Sequence, residues 1–130
     1  MVLKILHASE SKSARVLHEA ALVDVTMSVN NPLLCNDVNV VGSLNPFRAS
    51  VDLSVKHFFF ASSAAVYGDS KPAKRNEDML PKPILPYGVS KLTAENYVQV
   101  FNDVYGPETS PCDTLMCTGA GKVLYPATVQ

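Results

Sequence analysis

The segment that most constrains the fold is Val55 to Ala61, which is rich in β-forming residues and apolar on both faces. Such a segment is typical of a buried strand in a parallel sheet. A shorter strand is predicted over Ala14 to His18, and a helix that starts at Pro32 and reaches Val51 lies between the two strands. A loop with four prolines, Lys71 to Pro86, then leads into a helix over Tyr87 to Tyr105. This order of elements predicts a parallel α/β sheet.

Both predicted helices carry an apolar stripe that is expected to face the sheet. The stripe of the first helix consists of Leu34, Val38, Val41, Leu44 and Val51. Pro46 falls inside this helix, where a proline costs ~3 kcal/mol. The stripe of the second helix consists of Ala94, Val98, Phe101 and Tyr105, preceded on the same side by Tyr87 and Lys91. Polar residues on a core-facing side are costly unless they open onto a cleft, and clefts of parallel sheets lie at the carboxyl ends of the strands.

Tyr87 and Lys91 suggest what chemistry such a cleft could perform. Residues four apart share one face of a helix, and an ammonium beside a phenol favours the phenolate. Ser62 and Ser63 follow the buried strand directly and supply hydroxyl groups at its end. Together these groups predict a proton-transfer site for an alcohol or a carbonyl. The structural alternative is that Tyr87 packs in the core, that Lys91 snorkels or pairs with Glu95, and that Ser63 caps a turn.

The composition describes a compact domain and excludes several classes of partner. With 130 residues, 47% of them apolar, the chain has room for one core and is not a disordered protein. A net charge of −1 gives no electrostatic reason to expect nucleic acid or an anionic membrane as a partner. Cys35, Cys112 and Cys117 are odd in number, which argues against a disulfide framework and favours the cytoplasm. We expect no metal site, because no second pair of ligands has metal spacing, and no membrane span, which needs ~20 apolar residues.

Two stretches in sequence order resemble one known family. Ala61 to Asp69 (ASSAAVYGD) and Pro86 to Glu95 (PYGVSKLTAE) resemble the nucleotide-sugar epimerase/dehydratase branch of the extended short-chain dehydrogenases. His18 to Ala21 resembles the His-x-Ala-Ala strand end of that family, and Ser28 to Pro32 with Asn39 to Asn45 resemble its next helix. The resemblance runs from about Ala14 to about Tyr105 and covers a middle part of the family's longer pattern.

The resemblance implies a Rossmann-like, doubly wound parallel sheet that uses NAD as its cofactor. Tyr87 would then be the general acid and base of the reaction. Lys91 would hold the nicotinamide ribose and favour ionisation of the tyrosine, so that both residues also contact the cofactor. Ser63 would donate a hydrogen bond to the reacting hydroxyl of a sugar.

Four further residues are expected at the cofactor by the same resemblance. Asn39 and Ser62 match positions that support it, and Ala20 and Ala21 match small residues against which the dinucleotide packs. Each has an alternative, since a helical asparagine is often only solvated. Small residues after a strand also allow a helix to approach closely.

The residues after Ser63 narrow the resemblance to one subfamily. Dehydratase members typically carry Asp-Glu there, whereas this chain has Ala64 and Ala65. The pattern is therefore more similar to that of the UDP-sugar 4-epimerases. The implied reaction transfers a hydride from a sugar carbon to NAD, rotates the keto intermediate and returns the hydride to its other face.

The chain departs from the family pattern where the pyrophosphate of NAD would bind. No Gly-x-x-Gly-x-x-Gly or Gly-x-Gly-x-x-Gly follows an N-terminal strand. Thr118 to Lys122 is interpreted as a turn, because Leu124 stands where a third glycine would be. We therefore predict a partial NAD-binding domain over residues 14–106, without the first βαβ unit and the C-terminal substrate lobe. Residues 1–13 and 107–130 remain unassigned.

Two functions of different class follow from these observations. The first is a nucleotide-sugar 4-epimerase-like protein that binds a UDP-sugar, here in a truncated form, and whether it is an active enzyme is left open. The second is a non-catalytic α/β module that retains the motif and acts by assembling with other chains. Phe58 to Phe60 is flat, apolar and uncharged, so an exposed sheet edge in Val55 to Ala61 would favour a homo-oligomer or another partner.

Overall fold

The computed structural model describes residues 5–6, 15–53, 55, 57–69, 80–109, 113–117 and 123–124. This part of the chain forms one five-stranded sheet in the order β1-β2-β3-β4-β5. The strands are Ile5–Leu6 (β1), Arg15–His18 (β2), His57–Ala61 (β3), Asp113–Cys117 (β4) and Val123–Leu124 (β5). The central strands β2, β3 and β4 are parallel, and the short strands β1 and β5 pair antiparallel at the two edges. The predicted parallel α/β sheet is confirmed, and the two unassigned terminal segments contribute strands to it.

Helices connect the three parallel strands. They are Val25–Asn30 (α1), Pro32–Asn36 (α2), Gly42–Asp52 (α3) and Pro86–Thr109 (α4). A π-helical turn, Asp37–Val41, joins α2 to α3, and a 3-10 helix, Ala64–Tyr67, follows β3. Asn31 caps α2 by accepting a hydrogen bond from the Leu34 N–H at 3.1 Å, and Pro32 is its first residue, as predicted. Helix α4 packs against all three earlier helices, so the helices form one layer.

An aromatic cluster attaches this helical layer to the sheet. Phe58 and Phe60 of β3 contact Phe47 of α3, with ring centroids 4.8 and 5.8 Å apart in edge-to-face geometry. Ala94 and Val98 of α4 complete the buried core around these rings. Edge-to-face pairs contribute about 0.5–1.5 kcal/mol beyond the burial of their surface. The core is therefore centred on β3, between the two helical connections.

The position of β3 corrects one expectation about this strand. It pairs with β2 on one side and β4 on the other, so it is the central strand and exposes no edge. Phe58 and Phe60 are buried, and the alternate residues His57, Phe59 and Ala61 are half-buried. One face of β3 is therefore covered more fully than the other in the described part of the chain. The physical reason is that the described helices lie together in one layer, against the face that carries Phe58 and Phe60.

The buried side of the first helical region also differs from the predicted stripe. Leu34 and Val41 are 40% and 48% exposed. The buried positions are instead Cys35, Asn39, Val40, Ser43, Pro46, Phe47 and Ser50. Several of these are polar, and because they are hydrogen-bonded inside the protein, they occupy a face that hydrophobicity alone assigns to solvent. Pro46 lies inside α3, as expected, and its carbonyl oxygen accepts a hydrogen bond from the Ser50 hydroxyl at 2.7 Å.

Candidate functional site

Tyr87 and Lys91 lie on one buried face at the start of α4. Their exposed fractions are 9% and 3%. The Tyr87 N–H donates to the Ser28 hydroxyl at 3.2 Å, which ties the first turn of α4 to α1. The Lys91 Nζ atom lies 4.6 Å from the centroid of the Phe60 ring, which is a cation–π contact. Lys91 therefore does not snorkel to the surface, and the structural alternative fails on this point.

The strand end that carries Ser63 is close to the same turn of α4. The Ser63 hydroxyl accepts a hydrogen bond from the Ala65 N–H at 3.2 Å and so caps the 3-10 helix. A Cβ atom on Gly88 would lie 2.6 Å from the Ala65 carbonyl oxygen, so only glycine allows the observed contact between this helix and α4. The expected turn-capping role of Ser63 is observed. Because the oxygen accepts this bond, the hydroxyl proton remains available for donation.

Asn39 is fully buried and links the segment after β2 to the start of α4. Its Oδ1 atom accepts from the Leu22 N–H at 2.7 Å, and its Nδ2 atom donates to the Leu22 carbonyl oxygen at 3.1 Å. The same Nδ2 atom is 3.0 Å from the Ser90 hydroxyl, which donates to the Tyr87 carbonyl oxygen at 2.7 Å. The alternative of a merely solvated asparagine is therefore wrong. The π-helical turn directs this side chain inward, and such turns are frequent at functional sites.

A cleft of about 560 Å³ opens at the carboxyl end of β2. It is lined by His18, Glu19, Ala20, Ala21, Leu22, Val38 and Gly42. Its place at a strand end and its size are those of a small-molecule site in a parallel α/β protein. Both alanines expected at the dinucleotide lie in its wall. Asn39 fixes the backbone of this wall through its two hydrogen bonds to Leu22.

Charged side chains behind the cleft influence one another. Burial lowers the pKa of Lys91 to about 8, against the opposing effect of the Glu95 carboxylate. Burial also raises the pKa of Glu95 to about 7, and the Lys91 ammonium acts in the opposite direction. The Ser62 hydroxyl donates a hydrogen bond to Glu95 Oε1, so its proton is engaged within the protein. Because the pKa values of Lys91 and Glu95 both lie close to neutral pH, a change in the charge of one side chain also changes the protonation of the other.

Sequence reasoning missed three serines, Ser28, Ser43 and Ser90, that hold the site together. Ser28 and Ser90 position the start of α4, and the His18 Nε2 atom is hydrogen-bonded to the Ser43 hydroxyl at 2.8 Å. Their small size was the one sequence signal for a buried position, since small residues are common where two helices approach closely. Isolated serines carry no periodic pattern, so the sequence alone did not distinguish them from surface residues.

The residues at the cleft fit one end of NAD and not the other. Small alanines in the wall and a buried lysine nearby suit the nicotinamide ribose. The pyrophosphate needs a row of backbone N–H groups in a glycine-rich turn, and no such pattern occurs in the 130 residues. Within the described residues, no group of three potential metal ligands occurs, and no helix is both long and apolar enough to cross a membrane. The interpretation of Thr118 to Lys122 as a turn lies outside the described residues.

Comparison with known proteins identifies the family. The fold and the site define a Rossmann-type protein of the NAD-dependent epimerases and dehydratases. A family model described as GDP-mannose 4,6 dehydratase matches residues 3–114, and the chain belongs to this family. The predicted family, the partial Rossmann-like fold and NAD as the family's cofactor are thus confirmed.

The relatives are mostly 4-epimerases of UDP-sugars. A putative UDP-glucose 4-epimerase of Methanocaldococcus jannaschii is 37% identical over 94 residues, which are 72% of this chain and 31% of that protein. A UDP-glucose 4-epimerase of Lactobacillus helveticus is 41% identical over 95 residues, 73% of this chain and 28% of that protein. The chain thus spans about a third of the length of such relatives.

Solved structures give the same result. The UDP-glucose 4-epimerase of Brucella ovis in complex with NAD has a TM-score of 0.74 at 29% identity, covering 80% of this chain and 30% of that one. The UDP-N-acetylglucosamine 4-epimerase of Methanobrevibacter ruminantium, in complex with UDP-N-acetylmuramic acid, has a TM-score of 0.72 at 34% identity. That likeness covers 78% of this chain and 31% of the epimerase.

Proposed function

We propose that this chain carries the proton-transfer centre of an NAD-dependent nucleotide-sugar 4-epimerase that acts on a UDP-sugar. The observation that supports this most directly is the pair Tyr87 and Lys91 on one buried face of α4, beside the strand end that bears Ser63. A phenol and an ammonium at the start of α4, with a hydroxyl at the neighbouring strand end, can move the proton of a sugar hydroxyl as it becomes a ketone.

In the proposed reaction each of these residues has a separate task. Tyr87 takes the proton of the sugar's 4-hydroxyl and returns it after the keto intermediate has rotated to present its other face. Lys91 favours the phenolate by its positive charge and holds the nicotinamide ribose. Ser63 donates its hydroxyl proton to the same sugar oxygen, since its own oxygen already accepts from Ala65. NAD, when bound, accepts the hydride and gives it back.

The residues after Ser63 favour epimerisation over dehydration. Eliminating water from the sugar would need an additional acid and an additional base next to the reacting carbons. Ala64 and Ala65 begin the 3-10 helix at this point and offer neither. This supports a reaction in which one carbon loses and regains its hydride while its hydroxyl group loses and regains its proton.

We further propose that this chain binds NAD weakly by itself. It lacks a glycine-rich turn for the pyrophosphate, and this same lack favours the second candidate, a non-catalytic α/β module. Calorimetric titration of the chain with NAD is expected to show a Kd well above the micromolar range. Micromolar or tighter binding would contradict this proposal and would indicate a phosphate site of another kind.

The test of the epimerase proposal is Tyr87→Phe with UDP-galactose, UDP-glucose and NAD as reagents. Loss of the phenolic hydroxyl is expected to lower kcat/KM by ~10²–10⁴-fold while circular dichroism stays unchanged, because the ring still fills its buried site. Tyr97→Phe is the matched control, since Tyr97 is a 38% exposed tyrosine of the same helix. Equal activity of the parent chain and Tyr87→Phe would refute the catalytic role. A well-folded chain without turnover at saturating NAD would favour the non-catalytic module.

A further inference from the structure

Four side chains from three elements meet behind the cleft, and the mechanism above leaves three of them without a task. His18 of β2 and Lys91 of α4 both lie against the Phe60 ring, at 5.9 Å between ring centroids and 4.6 Å from Nζ to the centroid. Glu95 follows Lys91 by one helical turn. Ser62, at the end of β3, donates its hydroxyl proton to Glu95. His18, Ser62 and Glu95 are the three residues without a task.

The Glu95 carboxylate is held from two directions. Its backbone belongs to α4, and one of its oxygens accepts the hydrogen bond from Ser62. A side chain fixed at both ends keeps its charge at a constant distance from its neighbours on the helix. Residues four apart on a helix are neighbours, so Lys91 is the cation that this fixed charge affects.

The sheet side offers Lys91 no countercharge among the described residues. The Ser43 hydroxyl donates to the Asn39 carbonyl oxygen at 2.6 Å, so the His18 Nε2 atom must be the donor in its contact with Ser43. Burial and the nearby Lys91 ammonium lower the pKa of His18, which favours the neutral ring, and its Nδ1 atom is then a buried acceptor without a hydrogen-bond partner within the described part of the chain. The 3-10 helix contributes the phenol of Tyr67, which is likewise no anion near neutral pH.

We propose that Glu95 is a positioning residue that, anchored by Ser62, keeps the Lys91 ammonium charged and fixed beside Tyr87. The inference deepens the proposed function, since the charge of Lys91 matters for catalysis only if Tyr87 reacts. It also assigns Ser62 a task, which is to hold Glu95. A lysine ammonium that is 3% exposed is costly without a partner, and Glu95 is the described carboxylate that offsets this cost.

The effect of Glu95 is large enough to matter at physiological pH. The pKa of Lys91 is about 8, and the Glu95 charge opposes a further decrease. Without that charge Lys91 releases its proton more readily. A decrease of one pH unit in its titration midpoint is a tenfold change in the ratio of ammonium to amine. About half of the Lys91 side chains would then be uncharged near neutral pH, and the phenolate of Tyr87 would lose its neighbouring cation in that half.

The experiment is an NMR titration of the whole chain with ¹³C- and ¹⁵N-labelled lysine, in which the signal lost in Lys91→Arg identifies Lys91. In Glu95→Gln, which keeps an acceptor for Ser62, the midpoint of Lys91 is expected to fall by about one pH unit. Ser62→Ala should lower it by less, and Ser62→Thr, which keeps the hydroxyl, should restore it. Asp103→Asn is the matched control, since it removes an exposed carboxylate from the same helix and should leave Lys91 unchanged.

The outcomes separate this inference from a purely structural role and from the proposed function. An unchanged Lys91 midpoint in a folded Glu95→Gln chain overturns the inference, even if thermal stability falls. If Glu95→Gln does not fold, an unchanged midpoint in Ser62→Ala overturns it instead. The titration needs no cofactor, substrate or turnover. The Lys91 midpoint could fall in Glu95→Gln while Tyr87→Phe is as active as the parent chain. That pair of results would refute the proposed function and leave the link between Glu95 and Lys91 intact.

Discussion

The carboxyl ends of β2 and β3 lie side by side in the sheet, but they are built in different ways. At the end of β3 the side chains are fixed, because Ser62 donates to Glu95 and Ser63 caps the 3-10 helix. At the end of β2 the wall of the cleft includes the small residues Ala20 and Ala21. Two hydrogen bonds from the Asn39 side chain fix the backbone of Leu22 in this wall. Proton transfer needs groups in fixed positions, whereas a flat dinucleotide needs room and a stable wall.

The largest expected effect comes from removing the link between these two ends. Asn39→Ala leaves the N–H and C=O of Leu22 without their partner and removes one of the two hydrogen bonds that link the Ser90 hydroxyl to Asn39 and Tyr87. Unsatisfied buried polar groups cost ~1–3 kcal/mol each, so we expect the free energy of unfolding to fall by ~3 kcal/mol. Urea denaturation measures it, and Asn96→Ala, at an exposed position of α4, should change it by less than ~0.5 kcal/mol. A loss below ~1 kcal/mol for Asn39→Ala would mean that the two ends are not coupled through this residue.

A smaller effect is expected where the β3 end touches α4. The new methyl group of Gly88→Ala would lie 2.6 Å from the Ala65 carbonyl oxygen, so the 3-10 helix and α4 must separate. Overpacking costs ~1–3 kcal/mol and helix propensity returns about 1, which leaves a net loss of ~1–2 kcal/mol. Gly42→Ala is the control, because its nearest atom would be 3.4 Å away and only the propensity gain applies. Thermal melts of both variants measure the difference in stability. Equal melting midpoints would show that the 3-10 helix and α4 can separate without cost.

The third prediction concerns pH and Glu95. Its pKa is raised in the folded state to about 7, so below the ordinary value of 4.5 both states bind the proton and stability is complete. As the pH rises from there through about 7, the folded state holds the proton longer and stability is lost. Glu95→Gln lacks this loss, so its stability relative to the parent chain should increase between about pH 5 and about pH 8. The lowered pKa of His18 acts in both chains, and the lower Lys91 pKa inferred for Glu95→Gln adds to the same increase in relative stability as the pH rises above about 7. A constant difference in urea denaturation across that range would contradict the raised pKa.

The smallest effect should occur in the open wall at the β2 end. Ala21→Leu places a larger side chain beside the cleft, and we expect the free energy of unfolding to change by less than ~0.5 kcal/mol. The same enlargement at Ala94, which is 1% exposed in the core, should cost ~1–3 kcal/mol. Urea denaturation of the two variants compares open and filled space directly. If Ala21→Leu were the more destabilising, the cleft would be closed in solution.

The same contrast explains what could be predicted from the sequence. The strand at β3, helix α4 and the pair Tyr87 and Lys91 were predictable, because periodicity and the spacing of residue types are local properties. The buried face of the first helical region was not, because Asn39 and Ser43 look like surface residues until their tertiary partners are known. The central position of β3 was missed for a similar reason, since it depends on β4, a strand far along the chain.

The π-helical turn Asp37–Val41 limits how this protein can change in length. A π turn holds one residue more than an α turn, so deleting one residue there would give a more regular helix. That deletion would leave the faces of α2 and α3 almost unchanged, because the wider turn takes up its extra residue within a single turn of the helix. It would instead change which side chain of the turn occupies the position from which Asn39 now bonds Leu22 and Ser90. Loss of a single codon there would therefore preserve the helix and remove the polar link that the helix carries.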